Sequence, residues 1–285
     1  MKKILLTMLI MGALSLPSSA SMVIIDYQGD TVVRQQSIER NLIINSDDGA
    51  NYKIALRPLD DALRRVDGEV TIPLSDLYIN NTKEDVYLRY NEYSYIFDAL
   101  SMGGVAKNMT AKIRDFGMVP AGTYQINFEV QATDVETGEI AATSTFNLQF
   151  IVPVMQEISL HHEVPRIVLG ANDAFKKQQK VANETSPLVY INSNCDWELS
   201  VNADNFGDAA GNYFVRTVSA SSNVGERLLE RVQLTSGKEI VIARGKAPAN
   251  NEFVSVEYSL ENADGKAIPC GNYENRVKYV LRERR

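Results

Sequence analysis

The sequence has little of what catalysis and cofactor binding commonly use. Among 285 residues there are two histidines, two cysteines and one tryptophan. The histidines, His161 and His162, are adjacent and precede Glu163. Neighbours along a strand point to opposite faces, whereas a zinc centre needs three or four converging ligands, so this group reads as solvated polar residues. The sequence contains no Cys-x-x-Cys, no glycine-rich phosphate loop leading into a helix and no Gly-x-Ser-x-Gly turn. The acidic pairs Asp47-Asp48 and Asp60-Asp61 stand where a turn or a helix start favours carboxylates in any case, so calcium is not needed to explain them. Histidine-dependent hydrolysis is poorly supported. The expectation is a protein that is not an enzyme, with no cofactor and no metal.

An apolar run of any length occurs only at the start. Lys2 and Lys3 precede an apolar stretch from Ile4 to Leu16, and Ser18-Ser19-Ala20 places small residues where a signal peptidase reads them. That order is the mark of a secretory signal over residues 1–20, and the stretch is too short for a membrane span. The mature chain is therefore expected to be exported, to the periplasm, cell surface or medium, with no integral membrane segment. Arg282-Glu283-Arg284-Arg285 offers no apolar tail for an anchor at that end. Net charge is -7, becoming -9 once the two signal lysines are removed. An acidic balance disfavours nucleic acid, since no basic face is available to release counterions.

Cys195 and Cys270 are the two cysteines, and both fall in the second half. In an oxidising compartment such a pair reads as a disulfide within one domain, contributing about 4 kcal/mol through chain entropy. Two free buried thiols are the alternative, because spacing alone cannot establish bridging geometry.

What the sequence does have is a repeated pattern. Pro120-Ala121-Gly122-Thr123-Tyr124 and Pro269-Cys270-Gly271-Asn272-Tyr273 share proline, small residue, glycine, any residue, tyrosine, and each opens an alternating stretch. Apolar residues follow at Ile126, Phe128 and Val130 in the first, and at Val277, Tyr279 and Leu281 in the second. Period two marks a half-buried strand. Further short strands recur about every ten residues. They include Leu42 to Ile44 and Tyr52 to Leu56, expected as a hairpin through Asp47-Asp48-Gly49, as well as Val86 to Tyr90 and a closing strand carrying Phe146, Leu148 and Phe150. Leu59 to Val66 is the exception, with helical propensity after Pro58. Trp197 alternates with Leu199 and Val201 and reads as a core anchor. The fold expected is all-β, with two tandem immunoglobulin-like β-sandwich domains at 21–153 and 154–285.

Tyr87, Tyr90, Tyr93 and Tyr95 form a cluster, and tyrosine supplies a large rigid contact area with a polar tip. These four are the candidate binding surface, for a glycan or a peptide. Core or sheet-face positions are the alternative.

The proline-glycine-tyrosine approach to a terminal strand, in Pro120 to Tyr124 and Pro269 to Tyr273, resembles the closing strand of exported bacterial immunoglobulin-like and pilus-type subunits. The likeness covers the signal and these two motifs, not the whole chain. It implies a secreted structural or adhesive surface protein, a component of a pilus-like appendage, whose partners are protein subunits of a surface or periplasmic assembly. Two other readings stay open, a periplasmic assembly chaperone with two immunoglobulin-like domains and a carbohydrate-binding module. Equating the two motifs would leave the second domain short of a last strand, with Val23, Ile25 and Tyr27 as a candidate donor to another copy. Alternatively, that segment is an ordinary first strand.

Overall fold

The structure is a computed structural model that describes residues 23–34, 37–46, 50–101, 107–114, 119–161, 180–182, 186–204, 211–262 and 276–284. The expected signal peptide, Asp47-Asp48, His162, Cys270 and the second proline-glycine-tyrosine motif lie outside the described residues.

The first twelve strands are β1 (Val23–Tyr27), β2 (Val32–Arg34), β3 (Ser37–Ser46), β4 (Asn51–Pro58), β5 (Ala62–Arg65), β6 (Thr71–Pro73), β7 (Leu77–Asn80), β8 (Asp85–Tyr87), β9 (Ser94–Ser101), β10 (Lys107–Arg114), β11 (Gly122–Asp134) and β12 (Ile140–Val152). They make two sheets, ordered β1-β3-β10-β7-β8 with β2 also on β3, and β6-β5-β11-β4-β9 with β12 on β11. Alternation decides the buried faces. Ile38, Leu42, Ile44, Met109, Ala111, Ile113, Leu77 and Ile79 are buried from the first sheet, and Ile54, Leu56, Ile126, Phe128, Val130, Leu148 and Phe150 from the second. Each of these side chains larger than Ala111 contributes about 1.5–3 kcal/mol by leaving water.

β1 pairs with Leu42–Ser46 of β3, and β2 takes the adjoining stretch Ser37–Glu39. The break between them holds Gly29 at φ 81°, a left-handed position that glycine occupies without strain. The segment with Ile25 and Tyr27 is thus an ordinary first strand, seated in its own sheet. Its Tyr27 hydroxyl donates to the Asn147 carbonyl at 2.6 Å and accepts from the Gln149 amide at 2.7 Å, which links the edge strand β1 of one sheet to β12 of the other.

Three local expectations are corrected. Leu42 to Ile44 and Tyr52 to Leu56 do not form a hairpin: β3 pairs with β1 and β10, β4 with β11 and β9, and the two lie in different sheets. The segment after Pro58 is not helical. It becomes β5, with Leu63 fully buried and the Val66 amide bonded to the Thr123 carbonyl at 2.9 Å. A weak helical propensity loses to a ladder of backbone hydrogen bonds and a buried leucine. The strand expected over Val86 to Tyr90 ends at Tyr87, where the chain turns to cross between sheets.

The remaining strands are β13 (Gln156–His161), β14 (Lys180–Ala182), β15 (Leu188–Ser193), β16 (Trp197–Asp204), β17 (Gly211–Ala220), β18 (Val224–Arg227), β19 (Val232–Gln233), β20 (Glu239–Gly245), β21 (Ala249–Asn262) and β22 (Arg276–Glu283). Their sheets are ordered β13-β15-β21-β17-β19, with β14 on β21, and β18-β20-β16-β22. Trp197, Leu199 and Val201 are fully buried in the cluster these sheets enclose, together with Val215, Val254 and Val256. The last strand β22 pairs with β16 along its length, so this pair of sheets has its closing strand. Asn194 fixes the approach to β13: its side-chain oxygen accepts from the Met155 amide at 2.7 Å and its amide donates to the Pro153 carbonyl at 2.9 Å.

The protein is all-β, built of antiparallel sheets packed as sandwiches. The chain separates into two compact units, one of Met1–Leu63, Ile72–Arg114 and Gln125–Phe150, the other of Arg64–Thr71, Asp115–Tyr124 and Ile151–Arg285. Among the described residues no helix is long and apolar enough to cross a membrane.

Candidate binding surface

The four tyrosines of the cluster are all exposed, from 36% at Tyr93 to 57% at Tyr90, so none is a core residue. They flank the point where the chain leaves β8, the edge of the first sheet, and enters β9, the edge of the second. Two asparagines shape this crossing. Asn81, buried in the turn before β8, accepts from the Lys83 and Glu84 amides at 3.0 Å each and donates to the Ile96 carbonyl of β9 at 2.6 Å. Asn91 adopts φ 58°, which asparagine tolerates better than most residues, and its amide bonds to the Pro58 carbonyl at 3.1 Å.

The crossing separates the cluster into two groups. Tyr87 is cross-strand partner to Tyr78, their rings 5.9 Å apart. The Arg114 guanidinium lies 4.3 Å from the Tyr78 ring centre and donates to the Tyr87 hydroxyl and to Asp85, each at 2.7 Å. On the other sheet, Tyr93 donates to the Glu129 carboxylate, and Arg57 lies 5.1 Å from the Tyr93 ring centre while bridging to the same carboxylate at 2.9 Å. The Tyr93 hydroxyl and, beside it, Arg57 hold the Glu129 carboxyl below its ordinary value, and that hydrogen bond in turn raises the Tyr93 phenol. Tyr95, 54% exposed, follows two residues along, opposite Ala55 of β4. Tyr87 is thus held beside the first sheet and Tyr93 and Tyr95 beside the second; Tyr90 stands on the turn between, and the Ser94 hydroxyl donates to the Tyr87 carbonyl at 3.4 Å across the crossing. The sequence singled out the tyrosines but missed Arg57, Arg114, Glu129 and Tyr78. Their nearness depends on strand register, which no local signal reveals.

The other candidates resolve individually. Asp60 accepts from the Asn127 amide and side chain at 2.9 Å each, a structural role tying the turn between β4 and β5 to β11. His161 is exposed, its ring 5.8 Å from that of Tyr190. Among the described residues no group of three or more histidines, cysteines or carboxylates could hold a metal ion. Cys195 is a buried free thiol with its sulfur 3.5 Å from the Ser193 hydroxyl, and burial pushes it above the ordinary thiol range. Its expected partner Cys270 lies outside the described residues.

No family model matches the sequence, and no curated protein matches it. Solved structures similar to the chain include the CupB6 tip adhesin from Pseudomonas aeruginosa, at 8% identity and TM-score 0.37 over 92% of this chain and 93% of that one. They also include the Class 5 fimbriae chaperone CfaA, at 13% identity and TM-score 0.26 over 90% and 98%. A third is Salmonella alpha-2-macroglobulin reacted with methylamine, at 11% identity and TM-score 0.24, where the likeness covers 92% of this chain but 16% of that one. Scores this far under 0.5 do not establish a common fold.

Proposed function

We propose that this chain is an exported, non-catalytic β-sandwich protein with a structural or adhesive role at the cell surface, a component of a surface appendage. The observation that carries the reading is the set of four exposed tyrosines around the crossing from β8 to β9, two of them, Tyr87 and Tyr93, fixed in place by arginine-carboxylate pairs. These rings keep 36–57% of their surface exposed beyond the contacts that hold them, and rigid aromatic anchors lose little entropy on contact with a partner. Two sandwich domains along the chain, 21–153 and 154–285, with protein subunits as partners, complete the proposal. Fractionation of cells with immunoblotting tests it. The protein is expected in high-mass surface material, and recovery only as a free periplasmic monomer would sink the idea in favour of an assembly factor.

A further inference from the structure

We propose that β12 pairs edge to edge with β12 of a second copy of this chain, and that the Tyr27 hydroxyl competes for the same edge. The site is a different part of the molecule from the tyrosine crossing and goes beyond the reading above. β12 pairs with β11 alone, so its other side is an edge of the second sheet. Its 13 residues contain no charged residue and no proline. Soluble proteins keep sheet edges apart with charges, prolines or bulges, because the open N–H and C=O groups of an edge template another strand. Among the described residues the other edge strands of four or more residues follow that rule: β1, β9, β13, β18 and β22 carry Asp26, Asp98, Glu157, Glu226 and Arg276. β12 does not.

Tyr27 is the guard in its place. Its hydroxyl takes the Asn147 carbonyl and the Gln149 amide, two groups that a pairing strand would use, and its ring lies 5.6 Å from that of Phe146. Exposure alternates along this strand, with Thr143, Thr145, Gln149 and Ile151 exposed and Leu148, Phe150 and Val152 buried. Thr143 and Thr145 therefore turn their backbone groups to the same edge as Asn147 and Gln149, beyond the reach of the phenol. The side chains name the occupant. An antiparallel pair about a two-fold axis at Phe146 sets Thr145 opposite Asn147 of the second copy and Thr143 opposite its Gln149, uncharged groups that hydrogen-bond without like charges meeting. Phe146 then falls at a non-hydrogen-bonded pair, where Cα atoms approach to about 4.5 Å, and its half-buried ring meets its own copy. A charged peptide would find no counter-charge on this strand.

The test follows the full mature chain by sedimentation velocity and light scattering from micromolar to millimolar concentration. One strand pair is a small interface, so the parent is expected to exchange between monomer and dimer toward the upper end of that range. Tyr27→Phe frees the Asn147 and Gln149 groups and should tighten the dimer about tenfold or more. Thr145→Lys sets two lysines beside the axis and should abolish it in either background. Thr145 is exposed, so its variant should melt with the parent, and its effect on the parent keeps the test independent of how well Tyr27→Phe folds. Each mature copy carries a net charge of -9, so association should strengthen as salt screens that repulsion. Hydrogen exchange at the Thr143 and Thr145 amides should slow as concentration rises, and at Leu229, exposed elsewhere, it should not. Monomers at millimolar concentration in both parent and Tyr27→Phe, a Tyr27→Phe dimer no tighter than the parent's, a dimer that survives Thr145→Lys, or one that salt weakens overturns the proposal. Dimerisation of a protein confined to the periplasm leaves this inference standing and removes the surface role.

Discussion

The Tyr124 hydroxyl donates to the Pro120 carbonyl oxygen at 2.8 Å, across the turn that opens β11. This relationship gives the proline-glycine-tyrosine pattern its physical meaning, that of a tyrosine corner. The ring is fully buried and needs a partner for its hydroxyl, and the backbone four residues upstream supplies one. Gly122 sits between them at φ 151°, where a side chain is strained, and a Cβ there would lie 2.6 Å from the Arg65 Nε. Tyr124→Phe is expected to cost about 1–2 kcal/mol by leaving the Pro120 carbonyl short of its donor. Urea denaturation of the variant measures this, and an unchanged midpoint would show that water replaces the phenol at no cost.

Gly245 faces the Trp197 ring so closely that a Cβ would come within 2.3 Å of its Cζ2. Trp197→Ala should cost about 3–5 kcal/mol through the cavity it leaves. Gly245→Ala should cost about 1–3 kcal/mol through overpacking, and this cost should largely vanish in the Trp197→Ala background. A double-mutant cycle reads the coupling directly, and strict additivity would contradict the contact.

Phe128 and Phe150 are fully buried, whereas Phe146 is half-buried against the Tyr27 ring at 5.6 Å. Phe128→Ala is therefore expected to lower stability by about 3–5 kcal/mol and Phe146→Ala by clearly less. Thermal melts rank them, and equal losses would mean that Phe146 is as enclosed as its strand neighbours.

The Tyr258 and Tyr279 hydroxyls meet at 2.7 Å, joining β21 of one sheet to β22 of the other. Burial pushes Tyr279 up to about 12 from 10.0 and raises Tyr258 well above its ordinary value. The folded state thus keeps protons that the unfolded chain releases above pH 10. Stability from this pair is complete below pH 10 and declines as pH rises from there through the folded values. Chemical denaturation between pH 9 and pH 12 should show the decline, and Tyr258→Phe with Tyr279→Phe should flatten it. A profile with the same slope in the double variant would place the alkaline sensitivity elsewhere.

The buried, raised Cys195 thiol should react slowly with iodoacetamide in the native protein and quickly once unfolded. Mass spectrometry of labelled, exported protein checks this. Failure to label in denaturant until a reductant is added would instead reveal the bridge to Cys270 that the exported compartment favours.

Local pattern in the sequence determined a great deal. Period two placed Ile126, Phe128 and Val130 inward, set Trp197 in the core with Leu199 and Val201, and located the turn before Tyr124, because burying one face of a strand requires that alternation whatever the strand pairs with. Only the tertiary structure decided the partners. β3 and β4 parted into different sheets, the residues after Pro58 became β5 instead of a helix, and a cluster of tyrosines that is continuous in sequence was divided between two sheets. Alternation is written within a strand, but pairing and register are settled by contacts between residues far apart in the chain. Glu129 therefore reaches Tyr93, 36 residues away, only once β11, β4 and β9 have paired in the second sheet.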